Sequence, residues 1–567
     1  MNQVEIYKLR PFKSRNAEEF ALREVLDLFV NPASELQNPF EFENALVKGR
    51  MGSGKTMFLR ANLAYHLYTV IPSLVENAPL LLPVFIRLSD FQHLVRPSEI
   101  YRGVILRIIE ELSKVYLALQ DCDRMADIHR GMQSLPEDYL RANKLATVLR
   151  ELTRLSSEQY VQTIKDKLGL SGSAKPKFFE IAANFEKERI AQFTQKAQPG
   201  IADVRRAYEM LLADRGGNIL LLVDEAGSIP RSFFSQEKQT SLFETLMNQL
   251  RTTEFIRTKI AIYPHTYSDV LPETRYGDLV SLFADVVDET SYKQFRRKVI
   301  ALIERYLSAA AETSVPASLI FEITEGQGDA LEQIINASGG NMRRLMELLD
   351  LSMGVAFEEH AGIGTVTTKH VTEALNRHSS STEALYTPHD REFLNAIAQT
   401  CKSRRTCRFQ FPNKTPALYK YTSKSDEHNI LNVTEAGSGR RGTTYSFDYA
   451  YAVQHDLPTH YVKGTEKIDE TRSRSTGEWI SRVAQNSDEL VQHATLFAKI
   501  EGIIDYVEAE QKAAVIRGDD SCEYLIFKSE LIQSDRNQPL IVGRRVKFSP
   551  MLREEGEMPL AAAAELL

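Results

Sequence analysis

The chain has 567 residues, 43% of them hydrophobic, and a formal net charge of −7 at pH 7. This length predicts about two to four domains with full apolar cores, and the mild acidity excludes a uniformly basic nucleic-acid-binding protein. Its four cysteines form no C-x-x-C pair, which argues against a zinc ribbon or a disulfide framework and favours a reducing compartment.

The amino-terminal segment 1–8 lacks the apolar core of a signal peptide. No run of the sequence approaches the length of a membrane span. We therefore expect a cytoplasmic protein without a membrane partner.

Residues 49–56 fit the P-loop pattern G-x-x-x-x-G-K-[ST] without a mismatch, between a strand-like segment 44–47 and a helix-like segment 57–63. Glycines let the backbone turn its N–H groups toward phosphate oxygens at the positive end of the following helix. In this pattern the lysine reaches the terminal phosphates and the last hydroxyl ligates Mg²⁺. The sequence thus predicts ATP and Mg²⁺ as ligands. The predicted binding residues are Gly49, Arg50, Met51, Gly52, Ser53, Gly54, Lys55 and Thr56.

Two elements are expected before the next motif. Residues 83–88 read as a second core strand, and apolar residues at helical spacing predict a helix over 99–120. A helix-rich insert of undefined role is expected over about 121–199.

A second nucleotide-site motif follows the apolar run 219–223, which is typical of a strand buried on both faces of a parallel sheet. The run ends in Asp224 and Glu225, as a Walker B motif does. Asp224 is predicted to hold Mg²⁺, and Glu225 to polarise the attacking water. The alternative is a buried strand that ends in two solvated acids, which the intact P-loop disfavours.

Further strands are predicted at 259–263 and 284–287. Strands that alternate with helices imply an α/β fold, a P-loop parallel sheet with helices on both faces and nucleotide at the carboxyl ends of the strands. His265 and Thr266, at the tip of the 259–263 strand, are candidates for orienting the attacking water. An ordinary strand-ending turn is the alternative.

The segment Ser338-Gly339-Gly340-Asn341-Met342-Arg343-Arg344-Leu345 resembles the AAA+ ATPases of the origin-recognition and STAND-like class, bacterial ORC-CDC-type proteins included. Their helical lid begins with a G-N-x-R-R-type sequence. The resemblance implies that Arg343 or Arg344 contacts the terminal phosphate, and that Arg275 serves as an arginine finger for a neighbouring subunit. It also implies that segment 11–19 packs near the adenine. A solvated arginine pair on the lid is the alternative for Arg343 and Arg344.

A basic tract follows at about residue 400, with a predicted hairpin of strands 430–434 and 443–447 around a Gly-rich tip. A helix set followed by such a hairpin outlines a winged-helix domain, which origin-recognition-like ATPases carry at this place. Basic residues on a wing suit phosphate contacts, and DNA is favoured over RNA. A solvated loop or a protein-docking wing is the alternative. The nucleic-acid candidates are Arg404, Arg405, Lys414, Arg440 and Arg441.

The last segment resembles a cold-shock-like OB domain in the order of its strand-like stretches, 502–506, 512–520, 523–531 and 543–548. In that family aromatic residues on the second strand stack on bases, whereas this chain has Ala513, Ala514 and Val515 there. Tyr506, Tyr524 and Phe527 remain. We therefore expect weak nucleic-acid binding by this barrel, with a docking or structural role as the alternative.

The predicted domains are an ATPase core (1–290), a helical lid (291–380), a winged-helix-like domain (381–470), a helical linker (471–497), the barrel (498–556) and a tail (557–567). Two functions compete. One is an ATP-hydrolysing switch that acts on nucleic acid or is recruited by it. The other is a STAND-like signalling ATPase of a bacterial defence system that controls a separate effector protein. A homo-oligomer or such an effector is the expected protein partner.

Overall fold

The structure is a computed structural model. It describes residues 2–32, 38–130, 200–212, 216–234, 241–263, 278–282, 289–324, 329–411, 418–422, 429–435, 437, 442–459, 483–485, 499–508, 512–531, 535, 538–551 and 558–567. Across these residues, the helices are all too short or too polar to cross a membrane.

The described helices and strands are numbered in chain order. The helices are α1 (Gln3–Leu9), α2 (Leu22–Leu28), α3 (Lys55–Glu76), α4 (Pro97–Arg130), α5 (Ile201–Leu211), α6 (Leu242–Arg251), α7 (Glu289–Ala311), α8 (Ala330–Ser338), α9 (Met342–His360), α10 (Thr368–Glu383), α11 (Pro388–Ser403), α12 (Tyr419–Thr422) and α13 (Tyr449–Gln454). The strands are β1 (Ala45–Lys48), β2 (Leu81–Arg87), β3 (Asn218–Asp224), β4 (Ile256–Ile262), β5 (Asp278–Ser281), β6 (Arg408–Phe411), β7 (Leu431–Glu435), β8 (Thr443–Phe447), β9 (Ala484–Gln485), β10 (Ile500–Val507), β11 (Ala513–Gly518), β12 (Glu523–Phe527), β13 (Arg545–Met551) and β14 (Leu560–Leu566).

The chain separates into two compact units. The sheet unit comprises residues 16–49 and 54–282, and the second unit comprises residues 1–15, 50–53 and 283–567. Residues 50–53 of the P-loop therefore belong to the second unit, and the rest of the P-loop belongs to the sheet unit. The segment 11–19, which the resemblance places near the adenine, is divided between the two units after residue 15.

The sheet unit contains a five-stranded sheet in the order β2-β3-β4-β1-β5, with all neighbouring strands parallel. Alternate residues of β3 enter different cores: Ile219 and Leu221 pack with residues of α4, whereas Leu220 and Leu222 pack with residues of α2 and α3. A strand covered on both faces needs apolar residues at every position. The predicted parallel sheet with helices on both faces is confirmed.

Two boundaries in the sheet unit differ from expectation. Helix α4 continues to Arg130, ten residues beyond the predicted end of this helix at residue 120. Residues 121–130 contain neither Gly nor Pro, and nothing in them stops a helix. The expected strand 284–287 lies outside the described residues, and the edge of the sheet is formed by β5, which the sequence did not indicate.

In the second unit, the amino-terminal residues pack with the helices that follow residue 289. Phe12 is fully buried, and its ring lies 5.9 Å from that of Tyr306. Arg10 pairs with Asp350 of α9 at 2.6 Å. The segment up to residue 15 thus belongs to the second unit.

The region after α11 forms a four-stranded sheet in the order β7-β8-β6-β9. Strands β7 and β8 are antiparallel, with Leu431 opposite Phe447, so the predicted hairpin is confirmed. Phe393 of α11 packs in one core with Phe409 and Tyr445 of this sheet. Helix, strand, helix and hairpin follow one another as in the winged-helix outline.

The carboxyl-terminal strands form a closed barrel in the order β10-β11-β12-β14-β13. The predicted barrel is therefore present, but the predicted boundary at 556 and the tail 557–567 are wrong, because β14 lies in that segment and completes the barrel. Ala561 and Ala564 of β14 are fully buried. Four consecutive alanines favour a helix over a strand, and pairing with β13 overrides that preference.

The residues at 513–515, which were expected to replace an aromatic stacking surface, lie mostly inside the barrel. Ala513 and Ala514 are 3% and 2% exposed and belong to the interior, so of the three residues expected in place of the aromatic platform only Val515 is less buried. Tyr524 is fully buried, and its hydroxyl donates to Asp520 at 2.6 Å. Tyr506 and Phe527 are exposed.

Candidate nucleotide site

The P-loop connects the end of β1 to the start of α3. Gly52 and Gly54 have φ of +76° and +92°, in the left-handed region that favours glycine, and Gly54 caps α3. The Gly49 N–H donates to the carbonyl of Ile262 at the end of β4, 3.3 Å away. The predicted glycines are therefore needed to bend this loop onto the amino terminus of a 22-residue helix, where backbone N–H groups favour anions.

Lys55 begins that helix and is only 7% exposed. Its Nζ donates to the Gly49 carbonyl at 2.8 Å and lies 3.9 Å from the ring centroid of Tyr263. Tyr263 follows β4, the neighbour of β1 in the sheet. The ammonium group is thus held at the mouth of the loop by a carbonyl and an aromatic face. In the sequence, Tyr263 is recognisable only as the end of a predicted strand.

The Thr56 side chain lies near the carboxyl group of Asp224, at the end of β3. Asp224 is 3% exposed, and its burial raises the pKa of the carboxyl, whereas the nearby Thr56 side chain and the Glu225 N–H oppose this rise. The Glu225 N–H donates to Oδ1 at 2.8 Å. A hydroxyl and a carboxylate side by side are the protein ligands that Mg²⁺ uses in P-loop enzymes. Thr56 and Asp224 are the residues that would hold Mg²⁺ here.

Glu225 stands at a strained turn. Its φ of +60° is in the left-handed region, which is uncommon for a residue with a side chain. Its carboxylate accepts a hydrogen bond from the Ser89 hydroxyl. Ser89 lies in the short turn Leu88–Phe91 after β2, and β2 pairs with β3. The turn and this bond orient the carboxylate. No local sequence pattern marks Ser89, although neighbouring parallel strands bring their ends together.

The two lid arginines differ in their surroundings. Arg344 is 5% exposed and donates two hydrogen bonds of 2.6 Å to the two carboxylate oxygens of Asp448. Arg343 is half-buried on the same first turn of α9. The guanidinium of Arg344 is therefore engaged by a carboxylate within the second unit. Arg275, His265 and Thr266 lie outside the described residues.

The described part of the basic tract begins at the end of α11. Arg404 and Arg405 are exposed, and Arg405 has a φ of +51°. They follow directly on the last turn of α11, which carries Lys402. The other predicted nucleic-acid residues, Lys414, Arg440 and Arg441, lie outside the described part of the chain.

No curated protein matches the chain. Among solved structures, the Aeropyrum pernix ORC1 protein in complex with DNA is 13% identical, and the alignment covers 77% of this chain and 91% of that one. Its TM-score of 0.30 is too low to support an argument about fold or function. A family model described as ORC-CDC6-like matches residues 10–233. These residues carry both Walker motifs, and over them the chain is similar to the ORC-CDC6-like family, in agreement with the resemblance stated above.

Proposed function

We propose that this protein binds Mg²⁺-ATP and hydrolyses it, and that nucleotide state controls its action on nucleic acid. The observation that carries the proposal is that Thr56 of the P-loop lies close enough to Asp224 of the Walker B strand to act on its carboxyl group. Two motifs 168 positions apart in the sequence are brought together where one ligand can meet both.

Each residue has a distinct role in the proposed reaction. Lys55 binds the terminal phosphates, and Thr56 and Asp224 would hold Mg²⁺, which supplies charge neutralisation on the phosphate oxygens. Glu225 accepts the proton of the water that attacks the terminal phosphorus, while the bond to ADP breaks. Arg343 adds positive charge at the terminal phosphate, with Arg275 of a neighbouring subunit and Thr266 as further candidates.

Purified variants test these roles separately. Lys55→Ala should weaken ATP binding by about tenfold or more, because it removes a charged phosphate contact. Glu225→Gln should bind ATP as the unmutated chain does, with turnover lowered by about 10²-fold or more, since general base catalysis contributes that much. Unchanged turnover by Glu225→Gln would contradict its assignment as the base.

The nucleic-acid part of the proposal rests on the exposed pair Arg404 and Arg405 and on the predicted wing pair Arg440 and Arg441. Phosphate contacts are sequence-independent and sensitive to salt. Replacing the wing pair by alanine should weaken duplex DNA binding across all sequences and flatten its salt dependence. Arg96→Ala is the matched control, because the Arg96 side chain is 80% exposed in the sheet unit.

Stimulation of turnover by nucleic acid separates this proposal from the second candidate. We expect duplex DNA to raise the ATPase rate more than RNA does. A rate that ignores all nucleic acids, together with stable ATP-dependent assembly with a separate protein, would favour the STAND-like signalling ATPase.

A further inference from the structure

The start of helix α9 contacts the P-loop through three hydrogen bonds. The Asn341 side-chain amide donates to the Met51 carbonyl at 3.1 Å. The backbone N–H groups of Met342 and Arg343 both donate to the Gly52 carbonyl, at 2.9 and 3.2 Å. N–H groups in the first turn of a helix lack partners within the helix, and here a P-loop carbonyl satisfies two of them. All of these residues belong to the second unit.

Asn341 uses both ends of its amide. Its Oδ1 accepts from the Arg344 N–H at 3.0 Å, which is the bond that begins a helix, while Nδ2 holds the loop. Serine and aspartate cap helices as well as asparagine does. Capping alone therefore does not require an amide donor at this position.

The absence of a side chain at Gly52 allows Asn341 to lie close to the P-loop backbone. A Cβ on Gly52 would lie 2.3 Å from the Asn341 Oδ1 and 2.7 Å from its Cγ, well inside contact distance. The three atoms nearest to that Cβ all belong to Asn341. The glycine is thus needed for its φ of +76° and also for this close approach.

A bond to the Met51 carbonyl also orients the neighbouring N–H. The peptide unit between Met51 and Gly52 is planar and trans, so the Gly52 N–H points away from the carbonyl that Asn341 holds. In a P-loop, such N–H groups are the ones that face phosphate oxygens.

The same helical turn is anchored on its other side. Arg344 pairs with Asp448, and Asp448 caps α13 by accepting from the Ala450 N–H at 3.0 Å. Both partners of the pair are buried. A turn fixed in this way is a firm support for the loop.

We propose that Asn341 is a positioning residue of the nucleotide site, which holds the Met51–Gly52 peptide so that its N–H faces the bound phosphates. The proposal rests on ATP binding as proposed above. Asn341 acts through the P-loop backbone, so it governs ground-state binding more than the chemical step.

Asn341→Ser separates this role from helix capping, because serine keeps the capping oxygen but is too short to reach the Met51 carbonyl. Loss of one hydrogen bond should raise the Kd of Mg²⁺ with a fluorescent ATP analogue by about threefold to tenfold, with kcat at saturating ATP changed less than about twofold. Asn395→Ser, an exposed change on α11, is the control and should leave the Kd unchanged. An equal Kd for Asn341→Ser and the unmutated chain would overturn the proposal.

Gly52→Ala provides a second and independent measurement. In the unmutated background its Cβ meets the Oδ1, Nδ2 and Cγ atoms of Asn341, whereas in the Asn341→Ser background the two nearest of these atoms are absent and one γ atom remains beside the φ strain. The loss of affinity caused by Gly52→Ala should therefore be at least about threefold smaller in the Asn341→Ser background. The same factor in both backgrounds would contradict the contact.

The outcomes separate the two proposals. A folded, unmutated chain that fails to bind the nucleotide would overturn the proposed function and this inference with it. If the unmutated chain and Asn341→Ser bind the nucleotide with the same Kd, and Gly52→Ala lowers affinity by the same factor in both backgrounds, only the role of Asn341 is overturned.

Discussion

Removal of Arg344 should destabilise the second unit strongly. The two Arg344–Asp448 hydrogen bonds are both 2.6 Å, and the side chains are 6% and 10% exposed. Arg344→Met would leave the Asp448 carboxylate buried without its counter-charge, which costs about 3–5 kcal/mol of the free energy of unfolding. Asp448→Asn should have a cost of similar size, because it removes the negative charge that accepts two hydrogen bonds from the buried guanidinium.

A double-mutant cycle measures the coupling. Urea denaturation at pH 7, followed by circular dichroism, should show that Arg344→Met with Asp448→Asn costs less than the sum of the single changes by about 2 kcal/mol or more. Arg377→Met is the control, because Arg377 pairs with Glu358 at the surface, and it should change stability far less. Additive single effects, or an Arg344→Met variant as stable as the unmutated chain, would refute the reasoning.

Three further predictions concern other parts of the molecule. Burial, followed by the nearby Lys259 charge, lowers the pKa of His66 from 6.5 to about 4. As the pH falls from 6.5 to 4, His66 is therefore protonated in the unfolded chain before it is protonated in the folded chain, and the free energy of unfolding decreases by about 3 kcal/mol. His66→Gln should lack this decrease when urea midpoints at pH 7 and pH 4.5 are compared. Ser89→Ala should lower kcat by about twofold to tenfold without changing the Kd for ATP, because it removes the bond that orients the Glu225 carboxylate; equal kcat values would argue against that orientation. Deletion of residues 558–567 removes β14 and should open the barrel to limited proteolysis, and an unchanged cleavage rate would show that the barrel closes without it.

The sequence predicted those features whose signal is local. The P-loop has a fixed spacing, and the apolar run at 219–223 marks a strand covered on both faces, so the parallel sheet and its nucleotide edge followed from short segments. The hairpin 430–447 likewise carried its strands and its Gly-rich tip within 18 consecutive residues.

Other features depend on pairing between distant segments, and no local pattern indicates them. Ser89 reaches Glu225 across 136 positions, and Arg344 reaches Asp448 across 104. Two adjacent arginines looked equivalent in the sequence because only tertiary contacts distinguish them. Strand β14 was missed for the opposite reason, since its alanines have a local preference that barrel closure overrides.

The contact between Arg10 and Asp350 joins residues 340 positions apart, and this separation has a consequence for synthesis. At about 5–20 residues per second, a ribosome needs on the order of tens of seconds to proceed from one to the other. During that interval the sheet unit can fold, whereas Phe12 cannot yet contact the ring of Tyr306. The amino-terminal residues therefore reach their packed positions only after the later part of the second unit has been synthesised, and until then their apolar side chains are exposed to chaperones and to other nascent chains.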